Sequence, residues 1–255
     1  MDKKIIFGEI IGTFILVFLG IGSVAVAVLY DALNLYQIAS IWCLAVIIGI
    51  YASKKWSNAH LNPAVSLGFI ITKDINWQDF FNYAIGQFIG AVLAGFSIYF
   101  IFSADLLMFE QTHSIIRGSE ASKISAMMFG EFYPNPDNAN LTELTTWAAM
   151  LIEGFGTFVL MGVILLLVNS KKINSHLIPS LIGITVGVLI IFIAPYTQGG
   201  FNPFRDLGPR LVSGIMGWGS CAFNLPQFGF ITVYVLGPFI GAGLAGIIYK
   251  KVILD

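Results

Sequence analysis

Two asparagine–proline pairs place a polar amide inside long apolar stretches: Asn62-Pro63 in HLNPAV and Asn202-Pro203 in GFNPFR. An asparagine side-chain oxygen accepts a hydrogen bond from a free backbone N–H at a helix start. Proline is favoured at the first helical position, where its missing N–H is not needed. Each pair therefore predicts a helix N-terminus, with the amide NH₂ left as a donor that water or a hydroxyl compound could meet.

Other polar residues near these pairs indicate a site without metal or enzyme chemistry. Arg205 indicates either a functional cation inside the membrane or an ion pair with the adjacent Asp206. We expect His60 to donate a structural hydrogen bond to the backbone and not to bind a metal. Cys43 and Cys221 are interpreted as buried side chains and not as a disulfide or metal pair. We expect no cofactor, no nucleic-acid partner and no enzyme activity.

The elements that position these residues must cross a membrane. The chain has 255 residues, of which 57% are hydrophobic and 11% charged, whereas soluble domains carry about 25% charged residues. Each apolar stretch meets or approaches the ~20 residues that cross a bilayer as a helix. The sequence predicts an all-α membrane protein with spans near 5–30, 36–53, 79–103, 145–168, 176–196 and 229–250.

Paired segments predict an internal repeat. EIIGTFIL (9–16) resembles EGFGTFVL (153–160), and GQFIGAVLAG (86–95) resembles GPFIGAGLAG (237–246). Small residues four positions apart are also common wherever transmembrane helices touch, but that does not explain the shared order of the markers and the Asn-Pro pairs. We predict one channel domain made of repeat one (1–103), a connecting loop (104–144) and repeat two (145–250). Because each copy has three spans, an odd number, the second copy enters the membrane from the opposite side and is inverted relative to the first.

The Asn-Pro pairs then begin half-helices. The stretches 63–72 and 203–215 reach about half a bilayer at ~1.5 Å per residue. The residues before them, 58–61 and 198–201, must be irregular, which is tolerated at that depth only where backbone lines a polar cavity. Each helix N-terminus presents about +0.5 charge, so the centre would accept neutral solutes and repel cations.

The distribution of Lys and Arg predicts that both termini are cytoplasmic, because cytoplasmic loops are enriched in these residues. One side would hold Lys3, Lys4, Lys54, Lys55, Lys73, Lys171, Lys172, Lys250 and Lys251. The other would hold Arg117, Lys123, Arg205 and Arg210.

HLNPAV, FNPFRD, the two E-x-x-G-T-F segments and GPFIGA together resemble the aquaporin and glycerol-facilitator (major intrinsic protein) family, over essentially the whole chain. IWCLAV, EQTHSIIRGS and YPNP are most similar to bacterial glycerol facilitators. The resemblance implies six transmembrane helices plus two re-entrant half-helices, a pore in each subunit, and a homotetramer in the inner (plasma) membrane.

The resemblance also assigns roles. Asn62 and Asn202 would be the donors at the pore centre, and Arg205 the arginine of the selectivity filter. Trp42 would be the filter tryptophan, although interfacial anchoring is the alternative for an isolated tryptophan. Residues that would brace the re-entrant loops are Glu9, Glu153, Pro63, Pro203 and Asp206.

The filter departs from glycerol facilitators at Gly199 (usually Phe), Ile190 (usually Gly), Phe204 (usually Ala) and Tyr234 (usually Pro). One hypothesis is that Trp42 and Ile190 hold a carbon chain while Arg205 takes its hydroxyls. The alternative is that Phe201 or Phe204 leans into the pore, where His60 would also lie.

The resulting prediction is a passive channel for glycerol and other small uncharged solutes, with water, that excludes ions and protons. One alternative is a channel of the same fold for water, urea or another neutral solute. An ion-coupled secondary transporter is a second alternative, but it would need a titratable group at the midplane, where this chain offers neutral amides.

Overall fold

A computed structural model of the protein describes residues 1–138 and 143–254. These residues form helices joined by loops, with no β-strand among them. In chain order the α-helices are α1 (Lys3–Tyr30), α2 (Leu35–Ser53), α3 (Pro63–Ile71), α4 (Trp77–Thr112), α5 (Lys123–Ala126), α6 (Thr146–Val168), α7 (Ile178–Thr197), α8 (Pro203–Ser213), α9 (Gly229–Ile231) and α10 (Gly237–Tyr249).

Within the described residues, six helical segments are long and apolar enough to cross a membrane. They are α1, α2, α4, α6, α7 and the segment Pro226–Ile253, in which a π-helical stretch, Thr232–Leu236, joins α9 to α10. The predicted all-α multi-pass architecture is confirmed. Helix α4 continues beyond the apolar stretch from which it was predicted, and its last turns bury Glu110 in an ion pair with Arg117 (2.8 Å).

Helices α3 and α8 begin at the two prolines, as predicted. The Asn62 side-chain oxygen accepts from the Ala64 N–H (2.9 Å). The Asn202 oxygen accepts from the Phe204 and Arg205 N–H groups (3.2 Å each). With 9 and 11 residues, these helices are ~14 and ~17 Å long at 1.5 Å per residue, about half the thickness of a ~30 Å hydrocarbon core.

Helix contacts come in corresponding pairs. Helix α1 packs on α4 and α2, and α6 packs on α10 and α7. Half-helix α8 packs against α4, and half-helix α3 packs against α10. Each half-helix therefore lies against the last span of the other half of the chain, which locks the two halves together. The connecting loop's residues 139–142, like residue 255, lie outside the described residues.

Close contact between α1 and α4 depends on glycine. A Cβ added to Gly90 would lie 2.5 Å from the Ile10 carbonyl oxygen and 3.0 Å from the Phe14 nitrogen. Both atoms belong to the backbone of α1, so neither can move aside without shifting that helix. By contrast, a Cβ on Gly162 of α6 would meet no atom within 4 Å among the described residues.

Buried carboxylates hold the two irregular loops that precede the half-helices. Glu9 of α1 accepts from the backbone N–H groups of His60 (3.0 Å) and Leu61 (2.7 Å). The Ser57 hydroxyl (2.6 Å) and the Gln87 amide (2.8 Å) complete its four donors. Since an ionised carboxylate only accepts, Glu9 satisfies backbone N–H groups that lie outside any helix.

Glu153 of α6 does the same for the second loop. Its carboxylate accepts from the backbone N–H groups of Gly200 (3.0 Å) and Phe201 (2.9 Å) and from the Thr197 hydroxyl (2.6 Å). Both glutamates are fully buried. Their contacts support the bracing role that the sequence resemblance implied.

We predict that Gly90→Ala destabilises the folded protein by about 1–3 kcal/mol, as expected for overpacking. The thermal unfolding midpoint in detergent measures the loss. Gly162→Ala makes the same chemical change where a methyl group has room and should leave the midpoint unchanged or raise it. Equal midpoints for the two variants would contradict the close-packing argument.

We predict that Glu9→Gln lowers stability by about 1–3 kcal/mol, because the amide NH₂ cannot accept and leaves buried donors unpaired. Thermal unfolding measures the effect. Glu120→Gln removes an exposed carboxylate from a loop and should leave stability unchanged. If both variants have the same thermal unfolding midpoint as the parent, Glu9 does not brace the loop.

Candidate functional site

An elongated cavity of about 150 Å³ lies between the two half-helices. Ile178, Ile182, Val186 and Ile190 line it at four-residue intervals. The cavity therefore extends for at least ~18 Å along α7, at 1.5 Å per residue. The rest of its apolar wall consists of side chains from α1, α2, α3 and α6, namely Leu16, Val46, Ile50, Val65, Phe69, Leu160, Ile164 and Val168.

The opposite wall is polar and comes from the two irregular loops, residues 58–61 and 199–201, with Asn62, Asn202 and Arg205. In the described structure, the carbonyl oxygens of residues 58–60 and 198–200 accept no hydrogen bond from the protein. Because Glu9 and Glu153 bind the N–H groups of these loops, the carbonyls are left as acceptors for a solute.

Left-handed backbone conformations recur at matching loop positions: Ala59 and Leu61 have φ 54° and 53°, and Gly199 and Phe201 have φ 76° and 52°. Non-glycine residues in this region cost on the order of 1 kcal/mol each. Both loops keep this strained backbone where they line the cavity, so the strain is associated with the cavity wall.

Asn62 and Asn202 line the cavity, and each also binds the loop that precedes the other. The Asn62 NH₂ donates to the Phe201 carbonyl (2.9 Å), and the Asn202 NH₂ donates to the Leu61 carbonyl (2.7 Å). The sequence predicted that the NH₂ group of each amide is left as a free donor. Instead, one N–H of each amide is paired with the last carbonyl of the opposite loop. The second N–H of each amide remains as a donor.

Trp42, Ile190, Gly199 and Arg205, the predicted filter residues, all line the cavity. The Arg205 guanidinium carbon lies 4.2 Å from the centre of the Trp42 ring. The ring fits against Gly20, where any Cβ would collide with it. The structure thus brings the four residues together, with a cation–π contact between the two largest.

Arg205 forms an ion pair with Glu131 (2.5 Å), a residue that the sequence interpretation did not identify. Asp206 instead pairs with Arg210 (2.7 Å). The alternative of an Arg205–Asp206 pair is therefore corrected: neighbours in sequence point away from each other on α8. The sequence feature that could have identified Glu131 is its position as an acidic residue just before YPNP.

The remaining aromatic candidates differ in position. Phe201 lines the cavity and its ring lies against Gly199, 3.3 Å from where a Cβ would be. Phe204 is not among the residues that line the cavity; its ring packs edge-to-face on Phe88 (5.4 Å). Tyr234 is buried, and its hydroxyl donates to the Thr197 carbonyl (3.0 Å).

His60 lines the cavity, where its ring stacks between Phe69 and Tyr83 (centroid distances 4.6 and 3.9 Å). Its Nδ1 lies 3.0 Å from the Ser66 hydroxyl, so its structural bond is to a side chain and not to the backbone. Across residues 1–138 and 143–254, no group of three His, Cys, Asp or Glu side chains could hold a metal ion.

Known proteins align with almost the whole of this chain. The glycerol uptake facilitator protein of Escherichia coli (strain K12) is 34% identical over 252 residues, covering 96% of this chain and 86% of the relative. That of Buchnera aphidicola is 31% identical over 254 residues, covering 97% and 94%. The propanediol uptake facilitator of Salmonella typhimurium is 34% identical over 249 residues, covering 95% and 90%.

The X-ray structure of the aquaglyceroporin from Plasmodium falciparum superposes with a TM-score of 0.83 at 28% identity, covering 99% of this chain and 97% of that one. This similarity confirms the predicted aquaporin-like fold. The family described as "Major intrinsic protein" matches residues 2–249. Because that match spans nearly the whole sequence and the relatives align along almost their full length, the chain belongs to the major intrinsic protein family.

Proposed function

We propose that the protein is a passive channel for glycerol and other small uncharged solutes, together with water. The observation that carries this proposal is the two-sided cavity, with an apolar wall facing a line of unpaired carbonyls and two asparagine amides. A glycerol molecule has a hydrocarbon edge and a hydroxyl edge, which match these two walls. Relatives named glycerol and propanediol uptake facilitators support the same class of solute.

Ion and proton exclusion is part of the proposal. The half-helices direct two N-termini at the central asparagines, and each contributes a partial positive charge of about +0.5. A cation would lose its hydration shell at this point without gaining an acceptor strong enough to replace it. Protons would meet the same positive potential.

The filter is proposed to consist of Trp42, Ile190, Gly199 and Arg205, with Phe201 beside the gap left by Gly199. A Cβ at Gly199 would lie 3.3 Å from the Phe201 ring, and the left-handed backbone at this position adds strain for any residue with a Cβ. Asn62 and Asn202 are proposed as the pore centre. Loop bracing is proposed for Glu9, Glu153, Pro63, Pro203 and Asp206.

The assembly and orientation are also proposals. Large apolar side chains such as Phe100, Phe155 and Phe192 are exposed on the spans, which fits a surface covered by lipid and by further copies in a homotetramer. The lysine-rich side would be cytoplasmic and the membrane the plasma membrane. The pairwise correspondence of helix contacts supports two inverted copies, 1–103 and 145–250, joined by 104–144.

We expect proteoliposomes that contain the protein to re-swell rapidly in a glycerol gradient, and to carry no Na⁺, K⁺ or proton current. Stopped-flow light scattering measures solute entry, and sucrose, which is too large for the cavity, is the control. Fast water flux with no glycerol or urea entry would favour the water-selective alternative. Glycerol entry that consumes a proton or sodium gradient would favour the transporter.

Asn62→Asp should reduce glycerol flux while leaving the helix cap in place. The aspartate oxygens can still accept from Ala64, but they cannot donate to the Phe201 carbonyl, and they add negative charge at the pore centre. Asn62→Ala should also cost about 1 kcal/mol of stability through the lost cap.

Asn76 provides a matched control for this comparison, because it caps α4 in the same way from an exposed loop (3.0 Å to the Asp79 N–H). Asn76→Asp should transport glycerol like the parent. If Asn62→Asp also does, Asn62 is not part of the pathway.

A further inference from the structure

Glu131 occupies an unusual position beside the proposed filter. Its side chain is 1% exposed, and its carboxylate contacts the Arg205 guanidinium (2.5 Å). Neither carboxylate oxygen has a hydrogen-bond partner of good geometry in the described residues. A buried carboxylate normally requires several donors, so the charge of Arg205 is the main compensation for Glu131.

The loop is fastened at this residue by the half-helix that carries Arg205. The Glu131 N–H donates to the Asp206 carboxylate (2.7 Å), and its carbonyl accepts from the Arg210 guanidinium. The next residue, Phe132, donates its N–H to the Gln198 side chain (2.7 Å). The position of the Glu131 carboxylate against the filter is thus set by α8 and by the second loop.

Gly200 makes room for this carboxylate. A Cβ on Gly200 would collide with Oε2 of Glu131 and would also lie 3.2 Å from the Tyr234 ring. Gly200 does not have the positive φ of its neighbours, so its backbone does not require glycine. A side chain at position 200 would therefore compete for space with the Glu131 carboxylate and the Tyr234 ring.

The consequence is electrostatic. Two half-helix N-termini and the Arg205 guanidinium place positive charge beside the pathway, which repels cations but attracts anions. Arg210 is already neutralised by Asp206, whereas the carboxylates of Glu9 and Glu153 accept from neutral donors of the two loops and form no ion pair in the described residues. Among the described residues, Glu131 is the carboxylate that forms an ion pair with Arg205, and its charge opposes that of the guanidinium.

Building on the channel function proposed above, we propose that Glu131 is a specificity-determining residue of the filter: by pairing with Arg205 it opposes the positive charge at this point and disfavours the entry of small anions. Glu131 acts through Arg205 and does not itself contact the solute, since it is buried and does not line the cavity. Cation exclusion by the half-helices is independent of it.

The test uses full-length protein in proteoliposomes with valinomycin, under a potassium nitrate gradient. Re-swelling then requires nitrate entry, because valinomycin supplies the potassium. The parent should exclude nitrate. Glu131→Gln keeps the shape and removes the charge, and it should raise nitrate entry by about tenfold or more, since a unit charge in contact with the filter arginine is lost. Glu131→Asp keeps the charge and should exclude nitrate.

Glu120→Gln is the matched control. Glu120 is an exposed carboxylate of the same connecting loop, paired with Lys123, and its removal should not alter nitrate entry. The double variant Glu131→Ala/Gly200→Ala provides an independent route, because the methyl group added at position 200 fills the space of the lost carboxylate. It should admit nitrate like Glu131→Gln, and it decides the question if the glutamine variant does not fold.

Water and glycerol flux are measured on every variant to show that folded pores are present. Nitrate exclusion by a water-conducting Glu131→Gln or double variant would overturn the proposal. So would equal nitrate entry through Glu131→Asp and Glu131→Gln, since that would indicate a packing role. A parent that conducts water but no glycerol would refute the proposed solute and leave the nitrate comparison valid.

Discussion

A chain that stops its helices halfway across a bilayer must find hydrogen-bond partners for the interrupted backbone where lipid offers none. Here two buried carboxylates meet that requirement. Glu9 and Glu153 bind the N–H groups of the two loops that lead into the half-helices. Because the N–H groups are drawn to one side, the carbonyls remain on the other, and the same bonds that make the fold possible also create the polar wall of the pathway.

The central asparagines extend this arrangement across the molecule. Each caps its own half-helix with its oxygen and binds the opposite loop with its nitrogen. The two half-helices are therefore positioned by each other as well as by the spans around them. Strained residues such as Leu61 and Phe201 are tolerated because several of these bonds specify their conformation at once.

Local chemistry made the half-helices predictable from sequence: asparagine and proline specify a helix start through interactions within a few residues. The six spans followed from apolar length, and the filter positions from family resemblance. Long-range pairing was not predictable. Nothing near Arg205 in sequence indicates that its partner is Glu131, far before it in the chain, and not Asp206 beside it. Likewise, the placement of Phe204 against Phe88 depends on how α8 meets α4.

The Arg205–Glu131 pair is better explained by specificity than by stability. Burying two charges costs several kcal/mol of desolvation per ion, so a buried pair is often no more stabilising than apolar side chains of the same volume. The Arg210–Asp206 pair is equally buried, but it also binds the backbone of Glu131 and so fixes a loop. The Glu131 side chain makes no comparable bonds. What it does provide is a carboxylate 2.5 Å from the guanidinium of Arg205 in the proposed filter, in space that a Cβ at Gly200 would take.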